Sequence, residues 1–256
     1  MSVEIRSKAS QISKQDLTYR DFVVLVLDCI AVRARSAKAS QIDIVADFYH
    51  EHSIKSGTRI GRGTSARVLF KPEDKIHNDF LDLLKNNDFK NDLNALFSKS
   101  DILELWSWEY DYCVSDGAFV LECIEGESSR RKICFQHNNI SLEEADNRIV
   151  LHVRDLVTMR GKTNILVRTV DSDIPVILTG FFLQFYLYNS EVIISVDFGT
   201  GNIRRILSIN ECYNYLGEGD SLGVSFFHAF SGCDSTSFFT KWKVKPILQL
   251  DAISVL

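Results

Sequence analysis

Asp171 and Asp173 stand two residues apart, directly after the apolar run Asn164–Val170. Where a chain stays extended through such a pair, both side chains project from one face. Two close carboxylates repel each other, and a cation between them relieves the cost. Mg²⁺ suits that need, because it takes hard oxygen ligands and keeps several waters. Two such ions can activate a water and stabilise a leaving oxygen in phosphoryl chemistry. Asp47 follows the short run Ile42–Ala46 in the same way. In open parallel sheets, functional groups gather at the carboxyl ends of strands. Each residue also has an ordinary structural role open to it. An Asp after a strand commonly forms a turn or caps the next helix. Glu144 lies three residues after Ser141, which is capping-box spacing. Asp146 reads as a solvated helix residue unless other carboxylates gather around it.

Other chemistry has thinner support. Lys55, Arg59, Arg62 and Arg67 fall in one loop with Gly57, Gly61 and Gly63; such a loop is by default a solvated surface. Cys233 beside Asp234, with His228 nearby, suggests a nucleophile only if a base holds the thiolate in space. A small buried residue is the commoner role for such a cysteine. Trp106, Trp108, Tyr110 and Tyr112 have the rings to stack bases, and equally to pack a core edge. The segment Gly199-Thr200-Gly201-Asn202 is neither a dinucleotide fingerprint nor a P-loop, and reads as a hairpin turn.

The elements that must position these residues follow from periodicity. Thr18 to Lys38 reads as a helix, with Thr18 and Asp21 as a capping box and Tyr19, Phe22, Val23, Val26 and Ile30 at helical spacing. The competing assignment is a buried strand over Phe22–Leu27 that ends at Asp28. Ile42–Ala46 reads as a strand, His77–Ser98 as a helix, and Ala118–Ile124 as a strand. Ser141 opens the next helix, and Asn164–Val170 is β-rich. Pro175–Phe182 is expected to continue as a strand. Glu191–Asp197 and Ile203–Leu207 form a hairpin, and Ser208 with Glu211 caps a last helix closed by Gly217. Phe226–Phe230 is a short apolar segment leading to Gly232-Cys233-Asp234. Strands alternating with helices imply an α/β fold with a mainly parallel twisted sheet flanked by helices.

Composition agrees with a globular protein. The chain has 256 residues, 45% apolar and 25% charged, enough to bury a core. The net charge of -5 restricts any nucleic-acid surface to a local basic patch. The six cysteines form no C-x-x-C pair, which argues against a zinc ribbon. The polar start lacks a signal-peptide core, so free thiols in an intracellular setting, nucleus or cytoplasm, are expected rather than secretion. No apolar run approaches a membrane span. Residues 1–17 are expected to be a flexible segment, and 18–256 a single domain.

Four segments in order resemble a known family. Glu144-Ala145-Asp146, then Asp171-Ser172-Asp173, then Gly232-Cys233-Asp234 follow the order and approximate spacing of flap-endonuclease and XPG-type 5′ nucleases, within the wider PIN-like fold. The segment Val45-Ala46-Asp47, with Ser53-Ile54-Lys55 and Arg59 after it, resembles the same family. The wording is closest to an uncharacterised PIN-like group, through Glu143–Arg148, Val167–Asp173 and Ala229–Ser237. The resemblance spans roughly residues 18–245.

The resemblance implies a Rossmann-type three-layer fold with a peripheral hairpin. It also implies Mg²⁺ or Mn²⁺ held by Asp47, Glu144, Asp146, Asp171, Asp173 and Asp234. Lys55 and Arg59 would stabilise charge on the phosphate. Arg62, Lys241 and Lys243 would contact the nucleic-acid backbone, with DNA favoured over RNA. Against the family pattern, the first strand and its Asp are missing unless Phe22–Leu27 with Asp28 supplies them, and no helical DNA-binding module follows Asp234. Pro175 falls where the family strand continues, and Pro breaks a central ladder. The domain is therefore expected to be incomplete at both ends. A catalytically inactive domain that binds nucleic acid or a protein is the alternative reading.

Overall fold

The structure is a computed structural model that describes residues 17–47, 68–99, 110–116, 119–131 and 145–231. The chain divides into two compact units, with the boundary between Arg160 and Gly161. Both contain strands and helices, so the class is α/β.

The first unit opens with helix α1, Tyr19–Ser36. The helical reading holds over the strand alternative. The Thr18 amide donates to the Asp21 carboxylate at 2.9 Å, and the Asp21 amide donates to the Thr18 hydroxyl at 3.2 Å. These bonds satisfy donors that a helix start otherwise leaves orphaned. Hydrogen bonds from Thr18 hold the Asp21 carboxyl below its usual range. A carboxyl depressed in the folded state adds stability above its unfolded pKa, and that stability is lost as pH falls through the folded value. Thr18→Ala is therefore expected to cost about 1 kcal/mol near neutral pH. The penalty should shrink as pH drops below 3.8. Urea denaturation across that range measures both the loss and its direction.

A strand β1, Gln41–Ile44, follows. Two helices come next, α2 (Phe80–Leu83) and α3 (Asn87–Phe97). The sequence pattern joined them into one helix over His77–Ser98. The break arises at Asn86, whose side chain accepts from the Phe89 amide at 3.1 Å. An Asn in a helical pattern offers its backbone this local alternative and starts a new helix. Strands β2 (Asp111–Asp116), β3 (Phe119–Ile124) and β4 (Glu127–Arg131) complete a four-stranded sheet in the order β1-β2-β3-β4. Helix α4, Ala145–Thr158, closes the unit.

Side-chain alternation divides this sheet into two chemically distinct faces. Ile42, Ile44, Tyr112 and Val114 face α1, α2 and α3 in one apolar core. There Phe22 meets Phe80 edge-on at 5.0 Å between ring centroids. Tyr110 and Tyr112 are buried in this core, so packing is their role. On the opposite face lie Asp43, Cys113 and Glu122, adjacent across β1, β2 and β3 by register.

In the second unit, β5 (Asn164–Thr169) pairs parallel with β6 (Ile193–Phe198), which pairs antiparallel with β7 (Arg205–Ser208). Gly199 stands in the β6–β7 turn with φ +84, and a Cβ there would lie 2.8 Å from the Ile203 carbonyl oxygen. That turn requires glycine, as a hairpin reading of the segment implies. Helices α5 (Asp173–Tyr188) and α6 (Ile209–Ser231) pack together, and α6 packs against β6. Ser208 caps α6 by accepting from the Glu211 amide at 3.2 Å.

Two expectations are corrected. Pro175–Phe182 is helical, inside α5. Pro175 sits in the first turn, where its missing N–H breaks no intrahelical bond. A short apolar run does not by itself distinguish a buried strand from a buried helix. Gly217, with φ +77 and ψ 172, is non-helical and divides α6 into two helical stretches, so the first closes where the sequence reading closes it, and Phe226–Phe230 lies in the second. The sheets are mixed rather than mainly parallel: β1–β2 and β5–β6 are parallel, while the other described pairs are antiparallel. Among the described residues no helix is long and apolar enough to cross a membrane.

Candidate functional site

In the second unit the acidic pair stands where strand becomes helix. The Asp171 amide donates to the Thr169 hydroxyl at 3.0 Å, and the Asp171 carboxylate accepts from the Asp173 amide at 2.9 Å. The chain therefore turns here instead of staying extended, with Ser172 in helical conformation. Asp173 becomes the first residue of α5, where the positive end of the helix favours its charge. Its Oδ1 lies 2.8 Å from Nε2 of His228 on α6. His228 thus meets Asp173, a contact no local spacing announces.

In the first unit Asp47 lies just past the carboxyl end of β1, and its Oδ1 accepts from the Ala145 amide at 2.8 Å. It caps α4 from almost a hundred residues away in sequence. Asp146 is the next residue of that helix and is half-buried. Arg148, on the same turn, is only 6% exposed. Burial pushes its guanidinium pKa down, while the nearby Asp47 carboxylate and Cys113 thiol oppose that shift. Asp47, Asp146 and Arg148 therefore share the start of α4.

Beneath them, α4 crosses the polar face of the four-stranded sheet. Asp43 receives a hydrogen bond from the Gln41 side-chain Nε2 at 2.7 Å, and its other oxygen lies 2.7 Å from Nδ1 of His152. Cys113, directly beside Asp43 on β2, completes a group whose polar atoms all lie within 4.8 Å of one another. Further along that face Glu122 accepts from Arg160 at 2.6 Å and from Ser129 at 2.9 Å. Both acids are partnered, as buried charges must be. Cys29, Cys113, Cys123 and Cys212 carry thiols rather than disulfides.

A separate ionic cluster ties the hairpin to β5. Asp197, 3% exposed, accepts from Arg204 through both oxygens at 2.8 Å. Arg168, its neighbour across the parallel β5–β6 ladder, donates to the Asp197 and Thr169 carbonyls at 2.8 and 2.9 Å.

Of the residues singled out in the sequence, Asp47 and Asp146 come together in one unit, and Asp171 and Asp173 in the other. Glu144, Asp234, Lys55, Arg59, Arg62, Lys241 and Lys243 lie outside the described residues, as do Ser141, Cys233, Trp106 and Trp108. Sequence reasoning passed over Asp43, Cys113, His152 and Arg148. A weak signal existed. Asp43 interrupts an apolar strand, and Arg148 and His152 interrupt the apolar stripe of α4, four residues apart and so on one helix face. No family model, curated protein or solved structure matches this chain.

Proposed function

We propose that this protein hydrolyses phosphodiester bonds of nucleic acid with Mg²⁺ or Mn²⁺, as a PIN-like, structure-specific nuclease. The observation that carries the reading is the placement of its acids. Asp47 follows one parallel strand, and Asp171 and Asp173 follow another, the positions where open α/β sheets keep their reactive groups. The donors are all carboxylate oxygens, a set that suits a hard divalent ion and not a soft one. Such an ion, when bound, would activate a water and stabilise the leaving oxygen.

In this reading Asp47, Glu144, Asp146, Asp171, Asp173 and Asp234 hold the ions. Lys55 and Arg59 would stabilise charge on the phosphate, and Arg62, Lys241 and Lys243 would contact the nucleic-acid backbone. His228 orients Asp173 through its 2.8 Å contact, as outer-shell partners of ligating carboxylates do. One observation favours a protein that keeps the fold without catalysis. Asp47, Asp171 and Asp173 each already have a structural partner.

Cleavage of a labelled flapped DNA in Mg²⁺ or Mn²⁺ separates these readings. The expected result is metal-dependent cleavage that falls at least about a hundredfold in Asp171→Asn and in Asp173→Asn, because misplaced ions lose their alignment. Salt-sensitive DNA binding without cleavage by the wild type would overturn the enzyme and leave the binding domain.

A further inference from the structure

We infer that Asp43, Cys113 and His152 form a transition-metal site of the zinc class, distinct from the carboxylate set above. Three elements build it. The parallel register of β1 and β2 places Asp43 beside Cys113 on one face of the sheet. Helix α4 crosses that face and brings His152 to Asp43, at 2.7 Å. Among the described residues this is the one group of histidine, cysteine and acid side chains with ligating atoms mutually within 4.8 Å.

The chemistry of the donors selects the ion. One thiolate sulfur, one imidazole nitrogen and one carboxylate oxygen make a mixed, borderline-soft set, which suits Zn²⁺ or Co²⁺ and is foreign to Mg²⁺ or Ca²⁺. Tetrahedral bonds of about 2.0–2.1 Å to nitrogen and oxygen put those two atoms roughly 3.3 Å apart. The His152–Asp43 contact, at 2.7 Å, therefore has to open by about half an ångström, and the Cys113 sulfur, within 4.8 Å of both, has to stand at roughly 3.6 Å from them. Three protein ligands leave a fourth position for water, the arrangement of open rather than closed zinc sites.

Burial and charge agree. Cys113 is 1% and His152 3% exposed, so little water competes for the ion. Binding releases the Cys113 proton to solvent, and His152 ligates as the neutral ring. Apart from Glu122, which Arg160 neutralises, the layer then carries three negative groups, Asp43, Asp47 and the Cys113 thiolate. The divalent ion and Arg148, which lies near Asp47 and Cys113, balance them. Gln41 holds the second oxygen of Asp43 at 2.7 Å, the outer-shell support that fixes a ligating carboxylate.

Co²⁺ titration of metal-stripped full-length protein tests the site. The expected result is a thiolate-to-cobalt charge-transfer band that saturates at one equivalent, with the intense visible absorption of a four-coordinate ion. Zn²⁺ should displace both. In Cys113→Ala the charge-transfer band should vanish, and in Asp43→Asn affinity should fall by more than the about 10–100-fold that outer-shell changes cost. Circular dichroism checks that each variant is folded, and the near-isosteric Asp43→Asn stands in if Cys113→Ala is not. Cys29→Ala and Cys212→Ala should leave the spectrum unchanged, and so should Asp171→Asn, which makes this test independent of nuclease activity. No charge-transfer band in the wild type, or a band that survives Cys113→Ala, would overturn the site.

Discussion

Replacing Asp197 with alanine is expected to destabilise the second unit by about 3 kcal/mol, the lower end of the range for breaking a buried ion pair. The carboxylate is 3% exposed and serves two cations, Arg204 through paired 2.8 Å bonds and Arg168 at 3.6 Å. Burial already pushes the Arg168 pKa down, and Asp197 is the main influence holding it up. The Arg168 Nε is buried without a hydrogen bond, so removing the acid leaves that guanidinium uncompensated. The lower end applies because the Arg168 side chain keeps 20% of its exposure. Arg204→Ala is the control. Its side chain is 53% exposed, and solvent screens a pair at such a site, so the loss should be smaller than that of Asp197→Ala. Urea denaturation of the three proteins decides the matter. Equal losses in the two variants would show that Asp197 acts through Arg204 alone.

Phe22→Ala is expected to cost about 3–5 kcal/mol, the transfer free energy of the ring plus the cavity it leaves. Phe22 is 0% exposed and sits among Tyr19, Val26 and Phe80 in the core of the first unit. Its edge-on contact with Phe80 is lost too, and such ring pairs add about 0.5–1.5 kcal/mol beyond burial. Val32, on the far side of α1 and 58% exposed, supplies the comparison, since Val32→Ala should stay within about 0.5 kcal/mol. The contrast also bears on α1 itself. A strand over Phe22–Leu27 would put Phe22 and Val23 on opposite faces, whereas both are fully buried on one helical stripe. A Phe22→Ala loss no larger than that of Val32→Ala would remove Phe22 from the core.

Local signals were legible wherever a few neighbouring residues decide the outcome. The Thr18–Asp21 capping box, the Ser208 cap and the turn at Gly199 each depend on groups within four residues of one another, so the sequence displays them directly. The break at Asn86 was also local, but a continuous apolar stripe hid it. Pro175 misled because proline forbids a central strand and also favours a helix start. The pairing of neighbouring strands decides which of the two applies.

The sequence by itself determined helix α1, strands β1, β3 and β5, the caps at Thr18 and Ser208, the β6–β7 hairpin and the acids at strand ends, because periodicity and side-chain hydrogen bonding act over one turn or one pleat. Tertiary structure alone decided that β1 pairs with β2, so that Asp43 lies beside Cys113, and that α4 brings His152 and Arg148 onto that face. It alone decided that Asp47 caps α4 and that His228 meets Asp173. Those contacts join residues from 55 to 109 positions apart. Over such separations no local preference acts, and burial of a shared face sets the partners.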